Sequence, residues 1–158
     1  MANTASMCTS FMGELLTATH NFGVAPIRAA TTADTFKGAL YLTSATINAA
    51  TTAYSTTGEV SGTGYTAGGV SITNATAPTA TNSSSTAGVA YWTPSASITY
   101  TSVTLSTAFD TLLMYNSTQS NKAVAVYTFG SQTITAGTFT LTMPSNTTTT
   151  GLLRLATT

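Results

Sequence analysis

The stretch EVSGTGYTAGGV, residues 59–70, sets glycines at 62, 64, 68 and 69 around a tyrosine, with Glu59 as its single charge. Closely spaced glycines let a backbone approach a phosphate, so a nucleotide loop is the first chemistry to test. Gly62 and Gly64 supply a G-x-G, but the third glycine of a dinucleotide fingerprint would fall at Ala67, and Gly68 comes one place late. Such a loop also opens a helix and has an acid about 20 residues on. Here a strand pattern follows, and the next acid is Asp110. No lysine stands where a Walker loop needs one. The spacing predicts turn glycines instead, with positive φ or tight backbone packing at Gly62, Gly64, Gly68 and Gly69 and with Tyr65 covering a neighbouring surface.

His20 is the only histidine and Cys8 the only cysteine, and the acids are Glu14, Asp34, Glu59 and Asp110. That set offers no metal-ligand spacing, and one cysteine allows no intrachain disulfide. His20 reads as a capping or packed side chain and Cys8 as an inert thiol. A nucleophilic triad can be drawn from a serine, His20 and either Asp34 or Asp110, yet no G-x-S-x-G elbow supports it. Glycoside cleavage needs two carboxylates across a cleft, and none of these acids are close together in sequence. Tyr41, Tyr54, Tyr65, Tyr91, Trp92, Tyr100 and Tyr115 could stack on sugars or bases. Without interleaved Lys or Arg the nucleic-acid version is weak; a glycan surface of exposed tyrosines and Trp92 stays open. No catalytic, cofactor-binding or metal site and no cofactor is therefore expected, and the chain does not read as an enzyme.

Charged residues make up 5% of the 158 residues, four acids against four bases, where soluble domains carry roughly 25%. The balance leaves no electrostatic footprint for nucleic acid or an anionic membrane. Near-zero net charge promotes association, so either the many hydroxyls keep the surface wet or the chain works inside an assembly. The N-terminal MANTASMCTSFMGELL lacks a basic n-region and continuous apolar core, and no apolar run approaches the roughly 20 residues of a membrane span. The expectation is a protein made in a cytoplasm, without a membrane partner. Sequons at Asn74, Asn82, Asn116 and Asn146 are discounted in a chain so rich in Ser and Thr.

The elements that must position these residues are strands. Threonine supplies about a quarter of the chain and favours pleated, half-buried surfaces. Period-two patterns run through FKGALYL from 36, VSI from 70, GVAYW from 88, SITYTSVTL from 97, TLLMYN from 111, KAVAVYTF from 122, GTFTLTM from 137 and GLLRLA from 151. In the first, Phe36, Leu40 and Leu42 share one face, with Lys37 and Tyr41 on the other. In SITYTSVTL, Ile98 and Tyr100 share one phase and Val103 and Leu105 the other, which predicts a bulge or bend near Thr101 and Ser102. STQSN, residues 117–121, has the composition of a hairpin loop, and residues 76–88 read as a surface loop or hairpin excursion. Met7, Phe11, Leu15 and Ala18 recur at helical spacing, predicting a short N-terminal helix over about 5–19 and a connector over about 20–34. The whole is expected to be one all-β domain, 1–158, an antiparallel β-sandwich of Ig-like or jelly-roll type.

The collinear segments ELLTATHNF, DTFKGALYLTSATINAATTAYSTTGEVSGTGYTAGG, LLMYNSTQSNKAVAVYTFG and GTFTLTMPSN, with a terminal LLRLA, resemble a family of small virion proteins of tailed bacteriophages and prophages. The likeness covers most of the chain, leaving out residues 25–33 and 75–88. Thr128 stands where relatives often carry an aspartate, and Trp92 lacks their acidic neighbours. The resemblance implies a virion structural protein without catalytic residues. The function expected from it is a capsid decoration or cement protein, a homo-oligomer on the outer capsid surface that binds the major capsid protein or other virion proteins. A tail adaptor or fibre-associated protein, and a carbohydrate-binding module for host attachment, are the alternatives.

Overall fold

The computed structural model describes residues 4–8, 11, 15, 19–20, 22, 33–73, 78–81 and 89–156. Its elements there are strands: β1 (Thr4–Met7), β2 (Phe36–Leu42), β3 (Val70–Ser71), β4 (Thr79–Thr81), β5 (Val89–Trp92), β6 (Ile98–Asn116), β7 (Lys122–Leu141) and β8 (Leu153–Ala156). They form one sheet in the order β1-β7-β6-β2-β3 and a second in the order β4-β5-β8, with antiparallel pairing throughout. The all-β, antiparallel expectation holds at that level.

The N-terminal helix does not begin where expected: the start of its span is a strand, and Phe11 and Leu15 are the described residues there with helical backbone. Thr4–Met7, at the start of that span, lie extended beside β7 with Thr4 opposite Thr128 and Met7 opposite Ala125. The Cys8 N–H continues the ladder to the Val124 carbonyl at 3.2 Å. The outer edge of β7 offers these residues a row of backbone partners, and that tertiary pairing overrides a helical period carried by few residues. Of the remainder of that run only Cys8, Phe11, Leu15 and Thr19 are described, and of the connector only His20, Phe22, Ala33 and Asp34; the rest lies outside the described residues.

The segments 97–105 and 111–116 are one strand, β6, and those at 122–129 and 137–143 merge into β7. Joined through 117–121, they make a long hairpin with Asn116 opposite Lys122 and Ile98 opposite Leu141. The bend expected near Ser102 is present: Ser102 has φ 54° and Ala136 on the partner strand φ 46°, and the register shifts between Tyr100 and Val103. Ile98, Tyr100, Val103 and Leu105 are consequently all buried despite their opposite phases. The hairpin curls until Phe129 and Phe139, both on β7, meet with ring centroids 5.1 Å apart, and Phe109 stands edge-on to each. Its outer arm thereby folds back over the sheet, where the Tyr100 hydroxyl donates to the Gly38 carbonyl at 2.6 Å.

Tyr41 does not face solvent as the alternation of β2 suggested; it is fully buried. The chain after β2 crosses the second face of the sheet, where the Tyr41 hydroxyl donates to the Ser55 carbonyl at 2.6 Å and Tyr54 stacks on Tyr115 at 4.6 Å. The crossing ends beside β7, with the Tyr54 N–H on the Asn121 carbonyl and the Ala123 N–H on the Thr52 carbonyl, each at 2.9 Å. With both faces covered, residues 111–116 and 123–127 are buried without alternation, the pattern of a central sheet. The second sheet meets the first through Trp92, whose ring lies 4.8 Å from Phe22 and 6.2 Å from Phe36.

Candidate functional site

The glycine stretch stitches β2 to the bend of β6. The Val60 N–H donates to the Leu40 carbonyl at 3.0 Å and the Leu42 N–H to the Gly58 carbonyl at 2.9 Å, so residues 58–60 lie along the edge of β2. Thr63 then bridges Thr104, with the Thr104 N–H on the Thr63 carbonyl at 2.9 Å. The chain returns at Val70, opposite Gly38. At three positions this path admits only glycine. Gly69 has φ 71°, and a Cβ there would collide with the Gly38 carbonyl. Gly64 has φ 77°, and a Cβ would collide with the Ser102 carbonyl. Gly62 lacks positive φ but would strike the Thr104 carbonyl, and Gly68 is left-handed at φ 88°. All four meet the expectation of positive φ or tight packing.

Glu59 sits at the centre of this loop. One carboxylate oxygen, Oε1, accepts from the Tyr65 hydroxyl and from the Gly68 N–H, each at 2.7 Å. The other, Oε2, accepts from the Tyr54 hydroxyl at 2.7 Å. Tyr65 in turn accepts from the Leu40 N–H at 3.0 Å, and the Tyr115 hydroxyl donates to the Gly68 carbonyl at 2.8 Å. Burial, with the Glu59 charge adding to it, pushes Tyr115 up to about 12. Tyr41 is likewise pushed up to about 12, by burial opposed by its bond to Ser55. Tyr54 and Tyr65 are raised as well, first by burial and then by their bonds to Glu59. These hydroxyls stay protonated as donors, and the carboxylate has its acceptor capacity directed inward. The cluster is a clamp for the turn.

No family model, curated protein or solved structure matches the chain.

A second polar cluster is buried where β6 ends. The Asn116 side-chain oxygen accepts from the Thr118 and Gln119 N–H groups, each at 3.1 Å. Its Nδ2 is therefore free to donate to Asp34 Oδ2 at 2.8 Å and to meet His20 Nδ1 at 3.0 Å. An amide nitrogen is a donor only, so His20 Nδ1 holds its lone pair and the ring proton lies on Nε2. Gln119 Nε2 also donates to Asp34, at 3.1 Å. The structure thus brings together His20 and Asp34, two members of the triad drawn on paper, but it sets an amide between them. Phe11 stands edge-on to the imidazole at 4.8 Å and Phe36 stacks on it at 6.5 Å. This is the packed histidine the sequence suggested.

Trp92 is 2% exposed and Tyr41, Tyr100 and Tyr115 are also buried, so these rings form no exposed platform for a sugar. Cys8 is buried. Among the described residues no group of three or more His, Cys, Asp or Glu side chains could hold a metal, and no helix is long and apolar enough to cross a membrane. Sequence reasoning missed the two hubs, Glu59 and Asn116. Glu59 carried a signal: a lone charge inside a glycine-rich, otherwise uncharged segment must find partners when the segment packs.

Proposed function

We propose that the chain is a structural protein of a tailed-bacteriophage virion, a capsid decoration or cement protein that binds and stabilises the shell of major capsid protein. The observation that carries this reading lies in the segment that most resembles those virion proteins. Glu59, Tyr65 and the glycines from Gly62 to Gly69 all close the fold, so the shared motif is architectural and its persistence needs no shared chemistry. The low charge of the surface supports contacts that tolerate salt, and repetition over a lattice turns weak single contacts into firm attachment. The finer architecture belongs to the same proposal: the sheet and the folded-back arm of the β6–β7 hairpin form the two layers of a β-sandwich.

The test is the composition of purified particles. Quantitative mass spectrometry should find the chain in proportion to the major capsid protein, and cryo-electron microscopy should place it on the outer shell. A small, fixed copy number confined to the tail would favour the adaptor or fibre-associated reading, and absence from particles would overturn both.

A further inference from the structure

We propose that the cleft between the β5–β6 loop and the β7–β8 loop binds one residue of a neutral sugar, read by the Asn146 amide. The two loops leave the same end of the hairpin arm, where Ile98 pairs with Leu141. Residues 93–97 form one wall, and Met143, Pro144 and Asn146 form the other, around a volume of about 310 Å³. That is within the range of small-ligand pockets, about 300–1,000 Å³. Every one of these residues lies within 89–156, which the structure describes without a break. The walls are held from behind. Ser95 bonds the Thr73 carbonyl through its N–H at 3.1 Å and its hydroxyl at 3.2 Å. Thr93 Oγ1 accepts from the Leu152 N–H at 2.9 Å, and Ser97 Oγ accepts from the Met143 N–H at 3.4 Å, which ties one loop to the other. Asn146 is the exception: its Oδ1 is buried without a hydrogen-bond partner among the described residues. A buried polar atom left unpaired is costly, and this one belongs to a side chain at the wall of a cleft from which a partner can enter. The last torsion of an asparagine is broad, so the amide can turn toward an occupant.

The occupant follows from what the walls offer and lack. Among the described residues no Asp, Glu, Lys, Arg or His lines the cleft, so an ion finds no counter-charge there. Pro94 and Pro144 have no N–H to give, which denies a peptide the row of backbone partners that strand addition uses. What remains is polar but uncharged: Ser95, Ser97 and Asn146, set among the apolar Pro94, Met143 and Pro144. A side-chain amide pairs with a donor and an acceptor at once, and each hydroxyl of a sugar is both. The C–H face of a pyranose ring matches the prolines and the methionine between these polar groups. With no aromatic ring in the walls among the described residues, a single site is weak, and repetition over a particle multiplies it. That use rests on the virion reading; the binding itself goes beyond it and is tested on the purified chain.

Saturation-transfer NMR of the purified chain with glucose, galactose, mannose and N-acetylglucosamine, each at about 10 mM, is the test. At least one of these sugars should receive magnetisation on its ring protons, with a Kd in the millimolar range. Asn146→Ala should weaken that binding by roughly tenfold or more. The same variant should melt at the wild-type temperature or above, since it deletes a polar atom that the fold leaves unpaired. Ala96→Leu, at an exposed position of the wall, should weaken binding by filling the cleft, with circular dichroism confirming that the fold is kept. No transfer to any of the sugars, or transfer unchanged by Asn146→Ala, would overturn the proposal. Transfer to N-acetylglycinamide in place of the sugars would also overturn it and make the cleft a peptide site. Absence of the chain from virus particles would leave sugar binding untouched and count only against the virion reading.

Discussion

Tyr65 lies nearly parallel to Tyr100, with ring centroids 5.8 Å apart and planes 18° from parallel. The contact joins the glycine turn to the folded-back arm of the long hairpin, because Tyr100 is anchored on the Gly38 carbonyl while Tyr65 is anchored on Glu59. Two segments distant in sequence are thus fixed by one ring pair and two hydroxyl bonds. The Glu59 carboxylate holds one end of this link.

Replacing that carboxylate should loosen the whole turn. Glu59→Ala removes the acceptor of two tyrosine hydroxyls and one backbone N–H, and bonds to a charged group are each worth about 1.5–3 kcal/mol. Glu59 is half-buried, which lets water replace part of that loss, so the expected destabilisation is about 2–3 kcal/mol. Glu59→Gln should cost less because its amide oxygen still accepts. Urea denaturation of the three proteins checks the order.

The glycines give a sharper contrast. Gly69→Ala and Gly64→Ala place a Cβ against a carbonyl in a left-handed conformation, and the conformation alone costs about 1–2 kcal/mol. Each should destabilise by more than that, or prevent folding. Gly130→Ala is the control: a Cβ there meets nothing within 4 Å among the described residues, and its effect should stay within about 0.5 kcal/mol. Thermal melts of the three variants would decide it, and equal effects would refute the assignment of the turn.

Much of this was legible in the residues and some was not. The bend at Ser102 could be read because Ile98 and Tyr100 carry one apolar phase and Val103 and Leu105 the other, and only a distorted strand buries both. The strand at Thr4–Met7 could not be read. Its pairing with β7 is a long-range choice, and the local pattern of Met7, Phe11 and Leu15 points to a helix. Tyr41 was misplaced for a related reason: alternation gives the outward face of an isolated strand, but the crossing segment with Tyr54 covers that face. Asn116 looked like the polar end of a strand, and its role as the link between His20 and Asp34 depends on residues far away in sequence.

Asn116→Ala should cost more than an ordinary surface change. It leaves Asp34, His20 and the Thr118 and Gln119 N–H groups without the amide that joins them. A buried group left unsatisfied costs about 1–3 kcal/mol, so a loss of at least about 3 kcal/mol is expected in chemical denaturation. Asn116→Asp keeps the acceptor for both N–H groups but sets a second carboxylate against Asp34. It should be destabilising at neutral pH and partly relieved in acid.

Tyr127 makes the opposite case. Its hydroxyl is buried without a hydrogen-bond partner among the described residues, and burial raises its pKa. Tyr127→Phe removes a desolvated polar group while keeping the ring, so the variant should equal or exceed wild type in stability by up to about 1 kcal/mol. A clear loss in urea denaturation would show that the hydroxyl has a partner, such as an ordered water.

The buried tyrosines predict how the fold fails in alkali. Burial pushes Tyr41 and Tyr115 from the ordinary 10.0 up to about 12, and Tyr54, Tyr65, Tyr100 and Tyr127 are raised in the same direction. Between those limits the folded chain holds protons that the unfolded chain has released, so stability falls as pH rises. The contribution is complete below about pH 10 and is lost progressively toward about pH 12 and beyond. Tyrosinate absorbance and circular dichroism followed together should therefore change in one steep step, as unfolding and ionisation drive each other. Separate transitions, with tyrosinate forming near pH 10 in a chain that keeps its strand signal, would show that these hydroxyls are not held in the core.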